Sequence, residues 1–347
     1  MNEQVSNPES RLLSVIIPLY NEQSVIPIFH ARLVAVLDLL KMRSEVVYVN
    51  DGSTDRSMLL LLELHRHDRR VSIVDLSRNF GKELAMTAGL DYAGGDAIVL
   101  IDCDLQDPPE LIPELLNGWE QGYDIVYAQR IAREGDTWLK RATAAVFYRL
   151  IQRFASVQIP RDTGDFRLLS RRAADAVKSL REQHRYMKGL FAWVGFPQLS
   201  VPCRREPRGA GQSKWSYWKL WNLAIEGFTS FTIAPLKLAT YLGAAVALLS
   251  FAYAAIIVYK TLAYGDPVRG YPSLMVVILF LGGVQLLSLG VIGEYLGRMF
   301  NEAKKRPLYF VNQYVPAQGL NSGARASGPE SESALLLQRG AERTPPR

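Results

Sequence analysis

Two periods of apolar residues alternate through the first half of the chain. Leu13-Ser-Val-Ile-Ile-Pro18, Glu45-Val-Val-Tyr-Val49, Val71-Ser-Ile-Val-Asp-Leu76 and Ala97 to Ile101 are short runs rich in β-branched residues, which read as buried strands. Helical spacing fills the gaps, most plainly from Ser24 to Leu40, where Ile28, Leu33, Val36, Leu37 and Leu40 recur at that spacing. A second helix runs through Leu64 and a third to about Ala93. Asp124 to Arg130 reads as a further strand and Thr137 to Ala155 as a helix. Strands alternating with helices predict an α/β domain whose mostly parallel, Rossmann-like sheet is covered on both faces.

The last third obeys a different pattern. No charged residue occurs from Leu238 to Tyr259, nor from Gly270 to Gly293. At 1.5 Å per residue each run spans roughly 33 to 36 Å, enough to cross a hydrocarbon layer with some tilt. Ahead of them Tyr217, Trp218, Trp221, Phe228 and Phe231 interleave with Lys219, Asn222 and Glu226, as in a helix lying at a membrane interface. The connecting loop carries only Lys260, Asp266 and Arg269, while Lys214, Lys219 and Lys237 precede the pair and Arg298, Lys304, Lys305 and Arg306 follow it. That asymmetry predicts a multi-pass plasma-membrane protein with both termini and the first domain cytoplasmic. The expected layout is a flexible segment 1–11, an α/β domain 12–214, an interfacial amphipathic helix 215–235, a transmembrane hairpin 236–296 with spans at 238–259 and 271–293, a juxtamembrane segment 297–316 and a disordered tail 317–347.

Composition sharpens this picture modestly. The chain has 347 residues and a net charge of +6. Its mean hydropathy of +0.01 is high for a soluble enzyme because of the two apolar blocks. Its two cysteines, Cys103 and Cys203, offer no disulfide framework and no Cys-x-x-Cys spacing, which fits a reducing compartment. The first ten residues hold no apolar core of a signal peptide. His65 and His67 point to different faces of a helix and make no metal pair. No Gly-x-Gly-x-x-Gly follows the first strand and no P-loop appears, which argues against a dinucleotide dehydrogenase or P-loop enzyme.

Ligands of open α/β sheets bind beyond the carboxyl ends of the strands, and those ends carry Asn21, Glu22, Asp51, Arg78, Lys82, Asp102 and Asp104. The densest chemistry is Ile98-Val-Leu-Ile-Asp102-Cys-Asp104-Leu-Gln106-Asp107-Pro-Pro. Asp102 and Asp104 repel unless a cation lies between them, and aspartate oxygens suit Mg2+ or Mn2+ shared with a diphosphate. A polar loop whose Asp107 caps the next helix is the plainer alternative. Asp162 to Arg167 interrupts the strand and helix pattern, and a turn held by an Asp to Arg pair is the plainer alternative to a functional segment. Between Arg204 and Trp215, Gly209 and Gly211 loosen a basic loop that includes Arg205 and Lys214. Such a loop can close over phosphates or face anionic head groups.

Val15-Ile-Ile-Pro18-Leu-Tyr20-Asn21-Glu22, Val49-Asn-Asp51-Gly-Ser53-Thr-Asp55, Arg78-Asn-Phe-Gly81-Lys82 and Asp102 to Pro108 together resemble the family 2 glycosyltransferases of GT-A fold. Thr163 to Leu168, Tyr186-Met-Lys-Gly189 and Trp218 to Leu223 extend the resemblance to the polyisoprenyl-phosphate branch, which includes dolichyl-phosphate mannose synthases and bactoprenol glucosyltransferases, with the latter nearer. The resemblance implies inverting transfer of glucose from UDP-glucose to undecaprenyl phosphate at the cytoplasmic membrane face. It gives Pro18, Tyr20, Glu22, Asp51, Lys82 and Asp102 to the donor, and Asp104 with Gln106 to the Mg2+ or Mn2+. Asp165 joins Asp104 as catalytic, serving as a base or orienting the acceptor, while Arg167, Arg205 and Lys214 contact acceptor phosphate. Membrane lipids are expected partners, nucleic acid is not, and a homo-oligomer stays open. Another nucleotide sugar, or a non-catalytic membrane-tethered scaffold, are the rivals. A processive polysaccharide synthase is disfavoured by only two helices and by the missing Gln-x-x-Arg-Trp.

Overall fold

The computed structural model describes residues 11–131, 163–183, 185–203, 234–264 and 270–318. The helix expected at Thr137 to Ala155, the basic loop with Arg205 and Lys214, most of the interfacial helix at 215–235 and the tail beyond residue 318 lie outside the described residues. The described residues form two units, with the hairpin up to Arg306 in one and everything else, including the segment from Pro307 onward, in the other.

The first unit is built on β1 (Leu12–Leu19), β2 (Arg43–Asn50), β3 (Val71–Leu76) and β4 (Ala97–Leu100). Strands β1 and β2, β1 and β4, and β2 and β3 pair in parallel. Every residue of β3 and β4 is buried, as are all but the first of β1. A strand covered on both faces needs a continuous apolar run rather than an alternating one, which is why these four stand out in the sequence. Helices α1 (Ile26–Leu37), α2 (Ser57–His67) and α3 (Lys82–Tyr92) connect them. The first begins two residues later and ends three earlier than the apolar spacing suggested, since Leu39 is 83% exposed.

Helix α3 sets the site. It buries Ala85, Met86, Ala88 and Gly89. A Cβ added to Gly89 would stand 2.2 Å from Ile16 Cγ2, so this glycine permits the helix to lie close on β1. That close seat carries Lys82, its first residue, to the carboxyl edge of the sheet.

Past β4 the chain makes a 3-10 turn, Pro109–Leu111, then α4 (Ile112–Glu120) and β5 (Ile125–Arg130). Pro108 precedes the turn with extended backbone and no side-chain cap of its own, and Asp107 before it is buried. Residues Thr163–Ser170 form a full strand, β6, antiparallel to both β4 and β5, where the sequence suggested an interruption or a turn. It is followed by α5 (Arg171–Ser179), α6 (Met187–Trp193) and β7 (Gln198–Cys203), the last parallel to β5. Beyond the hairpin, β8 (Val311–Val315) adds antiparallel to β3. The sheet order is β7-β5-β6-β4-β1-β2-β3-β8. The segment at 297–316 is therefore not a single juxtamembrane piece, since its second half belongs to the sheet.

The second unit is a pair of long helices in mutual contact, α7 (Ala234–Tyr264) and α8 (Tyr271–Ala303), 31 and 33 residues long. Both outrun the expected spans. Among the described residues one stretch, Phe280–Ala303, is long and apolar enough to cross a membrane.

Candidate active site

Three loops at the carboxyl edge interlock first. The Asp51 carboxylate accepts backbone N–H groups from Phe80 at 2.7 Å and Gly81 at 2.9 Å, binding the turn after β2 to the turn after β3. Gly52 has φ +63°, and a Cβ there would lie 2.4 Å from the Arg78 carbonyl carbon. The two loops thus touch backbone to backbone, which no larger residue would allow. Burial raises the Asp51 carboxyl above its ordinary value, against the pull of those two N–H groups and Arg78. The turn after β1 joins them: Asn21 donates its N–H to Ser53 Oγ at 2.9 Å, accepts the Thr54 N–H at 2.8 Å and has φ 54°, while the Glu22 N–H donates to Ser57 Oγ at 3.1 Å. Arg78 stacks its guanidinium 4.0 Å from the Phe80 ring centroid. Pro18 is buried within β1, and Tyr20 is half-buried just beyond its end.

Lys82 forms the second group. Its Nζ donates to Asp102 Oδ2 at 2.6 Å and to Asp165 Oδ2 at 2.5 Å. The sheet register explains this junction. β4 and β6 pair as Leu100 with Arg167, and continuing that antiparallel register by two residues sets Asp102 beside Asp165. One comes off the carboxyl end of β4 and the other stands at the amino end of β6. Desolvation of Lys82 works against its charge, but the two carboxylates outweigh it and hold the ammonium above its usual value. Burial likewise disfavours the Asp165 carboxylate, yet Lys82, Lys188 and Arg167 hold it well below the ordinary range. Asp165 Oδ1 is buried with no partner among the described residues.

Arg167 takes a place other than the one expected of a phosphate contact. It is 4% exposed, donates Nη2 to the Gly164 carbonyl at 2.8 Å and stacks 4.0 Å from the Phe191 ring centroid. Burial pushes its pKa down to about 10, against the pull of Asp165 and Glu83. Because Asp165 and Arg167 are two apart on one strand they share a face, and the arginine serves the carboxylate from within the protein. Two residues of this site were not singled out in the sequence. Glu83 follows Lys82 in the first turn of α3, and its Oε2 accepts the Met187 N–H at 3.2 Å. Burial and the nearby Asp165 charge push its carboxyl up to about 7. Lys188, inside the Tyr186 to Gly189 motif, adds its charge to both carboxylates. The usable signal was Lys82-Glu83 together, opposite charges opening a helix straight after Gly81.

The turn after β4 holds the candidate cation ligands. Asp104 Oδ1 accepts the Gln106 N–H at 3.1 Å, and Leu105 between them has φ 63°. Among the described residues no cluster of three or more His, Cys, Asp or Glu could hold a metal alone. Asp102, Asp104 and Gln106 offer only oxygen ligands from the chain's side, and this set fits a hard divalent cation that completes its shell with substrate phosphates and water. Cys103 points into the core, and burial raises its thiol pKa well above normal.

A mostly parallel sheet with a carboxylate turn and a lysine junction at its carboxyl edge is an arrangement suited to group transfer. The chain belongs to glycosyl transferase family 2, whose description matches residues 14–178, and residues 234–299 match the GtrB C-terminal hairpin. Within that family it falls in the polyisoprenyl-phosphate branch. An uncharacterised glycosyltransferase of Synechocystis sp. is 54% identical over 89% of this chain and 99% of that protein. A bactoprenol glucosyl transferase of Shigella flexneri, derived from prophage SfII, is 46% identical over 87% and 97%, and the one from Shigella phage SfV 47% over 86% and 97%. A glucosyl-3-phosphoglycerate synthase structure from Mycobacterium tuberculosis aligns at TM-score 0.43 and 18% identity, over 62% of this chain and 77% of that one.

Proposed function

We propose that this glycosyltransferase moves glucose from UDP-glucose onto undecaprenyl phosphate at the cytoplasmic face of the plasma membrane. The observation that carries the reading is the Lys82 junction, which sets one cation between a donor-side carboxylate, Asp102, and an acceptor-side one, Asp165. Relatives of matching length named bactoprenol glucosyl transferase support the acceptor class.

In this reading Asp51 and Glu22 hold the nucleoside, with Pro18 and Tyr20 lining its seat. Asp104 and Gln106 would hold Mg2+ or Mn2+, which offsets charge on the departing nucleoside diphosphate. Asp165 orients the acceptor rather than deprotonating it. A phosphate monoester is already largely ionised at neutral pH, and a carboxyl held this acidic is a poor base. Lys82 and Lys188 then offer their charge to the two phosphates, and Arg167 keeps Asp165 ionised. The lipid phosphate oxygen attacks the anomeric carbon opposite UDP, so an α-linked donor gives a β-linked glucosyl phosphate. Arg205 and Lys214 supply further positive charge to the phosphates.

The hairpin spans the membrane twice with both termini cytoplasmic. Support comes from the large apolar side chains exposed along both helices, among them Leu248, Leu262, Leu286 and Leu287 at 70% or more, and from the lysine and arginine bias of the flanks.

Purified protein given labelled UDP-glucose and undecaprenyl phosphate should put label into the organic phase, and chelator should stop it. Label that stays aqueous with every nucleotide sugar, while UDP still binds, would replace this reading with a membrane-tethered binding scaffold.

A further inference from the structure

The strand that follows the hairpin does more than cover the edge of β3. The register of β8 on β3 runs Ile73 with Val315, Val74 with Tyr314 and Asp75 with Gln313, then jumps to Leu76 with Val311. The jump leaves Asn312 as the extra residue of a bulge, a device that re-aims a side chain. Its Nδ2 donates to Asp75 Oδ2 at 2.8 Å. Asp75 Oδ1 in turn accepts Asn50 Nδ2 at 2.7 Å, and Asn50 Oδ1 accepts the Ser53 N–H at 3.3 Å. Ser53 Oγ then accepts the Asn21 N–H. A chain of polar groups therefore runs from Asn312, exposed on the post-hairpin strand, through the buried pair Asp75 and Asn50 into the loop that carries Asp51. Asn50 is 2% exposed and Asp75 8%, so each group depends on these partners. Two residues before Asn312, the Phe310 carbonyl accepts the Ser77 N–H at 2.9 Å, bracing the start of the Ser77 to Gly81 loop whose N–H groups hold Asp51. Tyr309 donates Oη to Asp91 at 2.6 Å, where Arg181 also binds, and so pins the segment to α3.

Sealing an edge strand requires backbone pairing alone. A bulge with an amide aimed at the carboxylate that accepts from Asn50 is a more specific arrangement. We propose that Asn312 is a positioning residue for the donor site, holding the Asn50 to Ser53 loop in its nucleoside-binding shape through Asp75. This rests on the reading of Asp51 as a nucleoside ligand. It makes the segment beyond the hairpin part of donor recognition, although Asn312 itself touches no substrate.

The test measures UDP affinity by titration and donor and acceptor kinetics on full-length, detergent-purified protein. Asn312→Ala should weaken UDP binding and raise the donor KM by about three- to tenfold, the worth of one part-buried hydrogen bond to a carboxylate, with kcat and the acceptor KM within about twofold of wild type. Asn312→Asp should be worse, because it sets two carboxylates together. The double swap Asp75→Asn with Asn312→Asp restores the chain in reversed polarity. Its new amide on β3 accepts from Asn50 and donates to the new carboxylate on β8, and UDP affinity should return to near wild type. Wild-type UDP affinity in a folded Asn312→Ala would overturn the proposal, as would a fall in kcat with the donor KM unchanged. Should Asn312→Ala not fold, the swap decides: folded with restored affinity supports the chain, folded with weak affinity refutes it. Wild-type protein that binds UDP yet glycosylates no lipid would sink the acceptor reading alone, since the UDP titration does not involve the acceptor.

Discussion

The two flanks of the sheet, one proposed for the donor and the other for the acceptor, reach the same edge by opposite routes. On the donor flank, β1 to β4 run parallel, and each ends where its loop begins, so Asn21, Asp51, Lys82 and Asp102 gather there by topology alone. On the acceptor flank, β6 runs the other way and starts at that edge, delivering Asp165 from its amino end and burying Arg167 behind it. The donor flank is joined mostly by backbone N–H groups and hydroxyls, the acceptor flank by charges. Substitutions on the first should therefore act through binding and metal geometry, and those on the second through coupled charges.

The largest effect tests the donor flank. Asp104→Asn keeps the shape of the turn and removes one charge from the candidate cation site, so turnover should fall by about two to four orders of magnitude in a protein that remains folded. Full activity of this variant in chelator would remove the metal from the donor side altogether. Next comes the junction itself. Lys82→Met leaves Asp102 and Asp165 facing each other without their shared cation, and losing charge-assisted bonds of roughly 1.5 to 3 kcal/mol should cut kcat by about 10- to 150-fold. If Lys82 mattered to the donor alone, the acceptor KM would not move, and steady-state kinetics in both substrates separates the cases.

A smaller effect concerns the packing that aims the donor flank. Gly89→Ala puts a methyl group against Ile16 and should lift α3 off β1, at a cost of about 1 to 3 kcal/mol. Chemical denaturation measures that loss, and kcat should fall with it because Lys82 shifts. A variant as stable and active as wild type would show that the close seat of α3 does not position the lysine.

How far each flank could be read in advance follows from the same contrast. β1 to β4 are covered on both faces, so burial leaves an unbroken apolar run such as Ala97-Ile-Val-Leu100, visible without any partner. β6 begins Thr163-Gly-Asp-Phe-Arg, and two charges and a glycine in five residues hide a strand whose charges are compensated by Lys82, Lys188, Phe191 and the Gly164 carbonyl once the chain has folded. β8, Val311-Asn-Gln-Tyr-Val315, is half polar because it lies at the outer edge, and β7 carries Pro202, which an edge strand tolerates. The donor loops were legible because Asp-Gly-Ser and Asp-x-Asp keep their chemistry within a few residues. Lys188 and Glu83 were not, because their meaning arises only when α6 docks on α3.

The smallest predicted effect lies where the flanks meet. Glu83 belongs to a donor-flank helix but holds the Met187 N–H of α6, and it faces Lys82 on its own helix, Asp165 and Arg167 on β6, and Lys188 and Arg185 beside it. Its folded pKa of about 7 lies above the ordinary value of 4.5, chiefly through burial and then through Asp165. The folded state therefore binds more protons than the unfolded state between those two values. Stability from this group is fully present below about 4.5 and is lost as the pH rises through about 7. Glu83→Gln removes the titration while keeping an oxygen for Met187. Its melting temperature should fall less steeply than that of wild type as the pH is raised across this window, and the two curves should diverge most near its upper end. Parallel curves would mean that α6 does not enclose Glu83 in solution, and the acceptor flank would then have to hold Asp165 with Lys82 and Arg167 alone.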